Sequence, residues 1–97
     1  MKGLNFYVYI TTNPGKTTLY IGVTNDLANR INQHYQNRGN KETFAGRYFC
    51  YNLIYFETFM DINQAIAREK EFKNLSRAKK VELIKAVNPK WDFIKLY

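Results

Sequence analysis

Ninety-seven residues, fifteen Lys and Arg against eight Asp and Glu (net charge +7), and 45% hydrophobic content suit one folded domain over 1–97 and argue against two cores or a disordered chain. Cys50 is the only cysteine, which excludes an internal disulfide and a cysteine-built metal site. No apolar run approaches a membrane span or opens the chain as a signal peptide, so the expected setting is a reducing cytoplasm with no membrane partner. The basic balance suits a polyanion, nucleic acid before membrane, although a merely basic soluble protein has the same balance.

Residues 6–12 and 18–24 alternate apolar and polar side chains and predict two β-strands. Asn13-Pro14-Gly15-Lys16 between them has turn chemistry, with Pro14 presetting φ and Gly15 tolerating the positive φ that follows. Folding about that turn sets Tyr9 opposite Tyr20 and Tyr7 opposite Gly22. Phe6, Val8, Ile10, Leu19, Ile21 and Val23 then share one face, and Tyr7, Tyr9, Tyr20 and Gly22 the other. Thr24-Asn25-Asp26 offers caps for a helix to about residue 37, with Leu27, Ile31 and Tyr35 as its buried stripe. Arg30 and His34 lie four apart on a neighbouring face, beside the hairpin's hydroxyls.

Residues 38–47 read as a polar loop carrying Arg38, Lys41 and Arg47 against Glu42, either a phosphate-contacting segment or a solvated connection. Residues 48–59 are almost unbroken apolar and aromatic, which predicts a strand buried on both faces, central or third beside the hairpin. Asp61 and Gln64 have capping-box spacing before a helix whose stripe is Ile62, Ala65, Ile66 and Phe72. Glu69 falls in that stripe. A carboxylate there is either an edge residue reaching solvent or Arg68, or a ligand for a hard divalent cation. Ser76 caps a last helix to about residue 87, with Val81, Leu83, Ile84 and Val87 apolar. Asn88-Pro89 ends it, and Trp91 and Phe93 fold back onto the core. The six basic residues between Arg68 and Lys80 read as a solvated surface, part of which lies where it can track a nucleic-acid backbone.

Tyr7-Val8-Tyr9, then Tyr20-Ile21-Gly22, then Arg30 and His34 in register, resemble the signature of the GIY-YIG nuclease superfamily, and its small single-domain bacterial members above all. Tyr7 stands where the first motif carries glycine. The resemblance extends from Tyr7 to Trp91 through Ala67-Arg68-Glu69 and Ser76-Arg77-Ala78-Lys79-Lys80. It implies a mixed α/β (α+β) domain, a three-stranded antiparallel sheet flanked by helices, acting as a divalent-metal-dependent DNA endonuclease, with DNA repair or recombination as its setting.

In the scheme the resemblance implies, Glu69 holds one Mg²⁺ or Mn²⁺ and Arg30 clamps the phosphate. Tyr9 takes a proton from water with its pKa lowered by nearby cations, Tyr20 places the water or phosphate, and His34 assists. Tyr7 and Gly22 are structural parts of the motif, while Arg47, Lys73, Arg77 and Lys80 contact DNA. Two features depart from the DNA-repair relatives: Val23 replaces a lysine, and Asp92 stands where an asparagine is expected. A nucleic-acid-binding module of the same fold without catalysis, and a protein-interaction domain whose tyrosines only pack, stay open as alternatives.

Overall fold

The computed structural model describes residues 5–96. Strands β1 (Phe6–Thr12), β2 (Leu19–Thr24) and β3 (Asn52–Phe59) form one antiparallel sheet in the order β2-β1-β3. Helix α1 (Leu27–Gln36) follows the hairpin and a short α2 (Phe44–Arg47) precedes β3. Helices α3 (Ile62–Asn74) and α4 (Arg77–Val87) come after it. Among the described residues no helix is long and apolar enough to cross a membrane.

The two faces of the hairpin separate as the alternation requires. Val8, Ile10 and Ile21, with Phe6, Leu19 and Val23 at the margin, pack against Ala65 and Phe72 of α3, Ile84 of α4 and Trp91. On the other face, Tyr9 packs with Leu27 and Leu53, bordered by Tyr7, Tyr20, Ile31, Ile94 and Leu96. The sheet is therefore covered on both sides, and its central strand β1 is buried from Val8 to Thr12.

The register differs from the sequence expectation by two residues. Tyr9 faces Gly22, Tyr7 faces Thr24, and Thr11 faces Tyr20. Asn13 explains the shift. Its carbonyl closes a turn with the Lys16 amide at 2.9 Å, and its side-chain oxygen accepts from the amides of Thr17 (2.8 Å) and Thr18 (2.9 Å). The loop thus runs over residues 13–18, and the positive φ falls at Lys16 rather than Gly15. A slip of two preserves both faces, which is why the alternation could not detect it.

Other differences also have local causes. The loop of residues 38–47 contains α2, capped by Thr43, whose hydroxyl accepts from the Gly46 amide at 3.0 Å. The third strand begins at Asn52 rather than at residue 48 and lies at a sheet edge. It is buried on both faces only over Leu53, Ile54 and Tyr55, and alternates in exposure beyond them. Asp61 caps α3 through the Asn63 amide. Val87, Phe93 and Ile62 are exposed rather than packed, whereas Trp91 is buried as expected. Asn88 holds the final segment in place by donating to the carbonyls of Ile54 (2.8 Å) and Asp92 (3.0 Å) and accepting from the Asp92 amide. The Ile94 amide then bonds to the Leu53 carbonyl at 2.7 Å, covering part of the β3 edge.

Candidate active site

Tyr9 stands at the centre of β1 with no exposed surface, and only one opposing residue lets its ring lie where it does. A Cβ on Gly22 would meet Tyr9 Cζ at 2.5 Å and Cε2 at 2.9 Å, far inside van der Waals contact. The bare backbone at Gly22 is thus the floor on which the phenol rests. The Tyr9 hydroxyl ends 2.8 Å from Nε2 of His34, delivered by α1 one turn after Arg30. Tyr20 completes a cluster of rings, its centroid 5.2 Å from His34 and 6.2 Å from Tyr9.

At this pair burial outweighs Arg30, one of the two cations, with the metal, that the sequence reading expects to lower the Tyr9 pKa. Burial is the dominant influence and pushes its pKa well above the usual phenol value. Tyr20 adds to the rise, Arg30 opposes it without overcoming it, and Glu69 adds a further rise. His34 moves the other way, since burial and then the Arg30 charge hold it below 6.5. A protonated phenol beside a neutral imidazole is the result, with the hydroxyl donating to Nε2 when His34 carries its proton on Nδ1.

Arg30 is half-buried and forms no ion pair among the described residues, so its guanidinium is available to an anion. Its cleft, about 210 Å³, is lined by Tyr20, Gln33, His34, Asn37 and the segment from Thr43 to Gly46. Glu69 is largely buried, with 17% of its side chain exposed, and pairs with Lys73 Nζ at 3.1 Å rather than with Arg68. Arg68 instead forks onto Glu57 at 2.9 and 3.0 Å and reaches Glu71 at 2.9 Å.

The fold therefore gathers Tyr9, Tyr20, Arg30 and His34, with Glu69 close enough for its charge to act on the Tyr9 hydroxyl. Tyr7 lies two residues along β1 on the same face, edge-on to Phe56. The basic residues are dispersed. Arg47 spends its guanidinium on the Lys41 carbonyl at 2.9 and 3.3 Å, Lys73 holds Glu69, and Arg77 and Lys80 lie on the first turns of α4. Phe44, which the sequence reading passed over, forms a wall of the cleft. An isolated aromatic in a polar run was its signal.

Among the described residues no three His, Cys, Asp or Glu side chains converge as a metal-binding group. Glu69 alone nevertheless suits a hard cation such as Mg²⁺, which keeps several waters and is shared between one or two carboxylates and substrate phosphate. Zinc, which takes three or four protein ligands, does not match this donor set.

Residues 5–82 match the family model of the GIY-YIG catalytic domain. The chain is 38% identical over 85 residues to a UPF0213 protein of Pediococcus pentosaceus, covering 88% of this chain and 84% of that one. A UPF0213 protein of Clostridium perfringens is 41% identical over 78 residues (80% and 81% covered), and one of Natronomonas pharaonis 38% over 78 residues (80% and 88%). The solution NMR structure of a UPF0213 protein from Bacillus halodurans superposes with a TM-score of 0.57 at 33% identity, over 91% of this chain and 90% of the other.

Proposed function

This chain belongs to the GIY-YIG nuclease family, and from that membership we propose that it is a divalent-metal-dependent endonuclease that hydrolyses DNA phosphodiester bonds. The observation that carries the reading is the buried Tyr9 hydroxyl held 2.8 Å from His34 Nε2, beside an arginine that forms no ion pair among the described residues. A packing tyrosine needs no such neighbours.

Arg30 binds the scissile phosphate, its planar fork matching two oxygens. Tyr20, fixed between His34 and Phe44, orients the attacking water. Since Tyr9 is protonated at neutral pH, it acts with His34 as a relay. Tyr9 passes its proton to His34 Nε2 as it accepts one from the water. This step requires Tyr20 or His34, which line the cleft, to shift and admit the water to a phenol with no exposed surface. The hydroxide adds to phosphorus, the P–O3′ bond breaks with its electron pair on oxygen, and that oxygen takes a proton from solvent. Glu69, once released from Lys73, would hold Mg²⁺ or Mn²⁺, whose contribution when bound is to withdraw charge from the phosphate and leaving oxygen.

Incubation of the protein with branched, nicked, single-stranded and duplex DNA, with and without Mg²⁺ or Mn²⁺, tests the proposal. Metal-dependent cleavage of at least one form is expected, and no cleavage of any form would refute it. Val23, in the place of the lysine found in DNA-repair relatives, favours a second reading, a binding module without catalysis. DNA affinity with no cleavage in either metal would decide for that module.

A further inference from the structure

An aromatic ladder leaves the active-site cleft and ends in solvent. The Tyr20 ring lies nearly parallel to Phe44, with centroids 6.3 Å apart and planes at 26°, and Phe44 meets Tyr48 at 4.8 Å. Phe44 and Tyr48 are 51% and 44% exposed, a large apolar area to leave open beside a polar cleft.

The segment that presents these rings is built to hold them. Gly39 and Gly46 join through a 2.8 Å backbone hydrogen bond. A Cβ at Gly46 would come within 2.5 Å of the Asn40 carbonyl and 2.8 Å of the Asn37 carbonyl, so only glycine permits this tight crossing. The Thr43 cap fixes the adjoining turn from the other side. Phe44 is thus held rigidly without being buried.

The cleft at its foot is smaller than the roughly 300–1,000 Å³ of an ordinary small-molecule pocket, so it takes a single base or a phosphate and not a base pair. Gln33 and Asn37 stand at its exposed rim, their side-chain amides free of any hydrogen bond among the described residues and so open to a ligand, and Arg30 supplies a cation. A π-face, amide donors and acceptors, and an anion clamp together match a nucleobase and its phosphate. An apolar peptide side chain would leave the amides unused. A base in duplex already has both faces stacked, so the occupant must be unpaired.

We propose that Phe44, with Tyr20 and Tyr48, is a stacking subsite for one unpaired DNA base next to the phosphate at Arg30. The inference rests on the nuclease reading and adds a substrate feature to it: a site of action with a base out of the helix.

The test uses 2-aminopurine in an otherwise plain single-stranded oligonucleotide, with EDTA present to prevent cleavage. Stacking on Phe44 should quench its fluorescence on binding. Phe44→Ala should abolish the quench and reduce the ratio of single-strand to duplex affinity about 5- to 150-fold, as expected for loss of one stacked base. Phe44→Trp should retain both. Phe44→Leu, which keeps most of the apolar contact and so guards against misfolding, should lose the quench. An unchanged affinity ratio in Phe44→Ala and Phe44→Leu, or a quench that survives in both, would overturn the subsite while leaving duplex cleavage to support the nuclease reading. Failure of the wild-type protein to bind any DNA would overturn both.

Discussion

Replacing Gly22 by alanine tests the most restrictive contact in the site. The added Cβ would lie 2.5 Å from Tyr9 Cζ, against roughly 3.5–4.0 Å for carbon atoms in contact, so the ring must yield by about 1 Å. Tyr9 has no exposed surface into which to swing, and any retreat moves its hydroxyl off His34. Overpacking of this kind costs about 1–3 kcal/mol. In a domain of this length that lowers Tm by about 4–8 °C for each kcal/mol. Backbone strain does not contribute, because the positive φ among the described glycines is at Gly39. With the clash relieved, alanine should even favour the strand by about 0.5–1 kcal/mol. Tyr9→Leu removes Cζ, Cε2 and the hydroxyl while keeping an apolar side chain, so Gly22→Ala should be neutral or stabilising in that background. Thermal denaturation of the four proteins closes a double-mutant cycle. Equal losses of Tm from Gly22→Ala with and without the Tyr9 ring would refute the reasoning.

Tyr9→Phe should leave the fold and DNA affinity almost unchanged and lower kcat about 10²–10⁴-fold, and single-turnover cleavage checks this. The rate of the parent protein should rise through the depressed His34 pKa, below 6.5, and be level near neutrality; a profile still climbing toward the phenol range would return Tyr9 to the role of sole base. Glu69→Gln should abolish cleavage while preserving fold and most DNA affinity, and a metal-titration curve like that of the parent would remove Glu69 from the site. His34, the only histidine, binds its proton less readily folded than unfolded. Its contribution to stability is therefore complete above about pH 6.5 and lost as pH falls below it, so His34→Gln should flatten the fall of Tm below about pH 6.5. If Arg77 and Lys80 each touch a phosphate, replacing either by alanine should lower the slope of log affinity against log salt by about one unit on duplex DNA, as titration at several salt concentrations would show.

Much of this molecule is set by local chemistry and is legible without coordinates. Alternation separates Val8, Ile10 and Ile21 from Tyr7, Tyr9 and Tyr20, because successive strand residues must face opposite sides. Asp26, Asp61 and Ser76 announce the helices they cap, since only a short polar side chain can take up the free amides of a first turn. The four-residue spacing of Arg30 and His34 likewise puts them on one side of α1.

Tertiary structure decided the rest, because those features depend on distances between segments that no local pattern encodes. The register turned on Asn13 accepting the amides of Thr17 and Thr18, which lengthened the loop and set Gly22 against Tyr9. The proton affinities turned on burial: the same arginine that should lower the Tyr9 pKa is outweighed once the ring is enclosed. The partner of Glu69 became Lys73, one turn along the same helix, because Arg68 was drawn away to Glu57 on β3. Phe44 acquired a role only when Gly39 and Gly46 folded its segment back beside Tyr20, since a ring becomes a wall only when something stands opposite it.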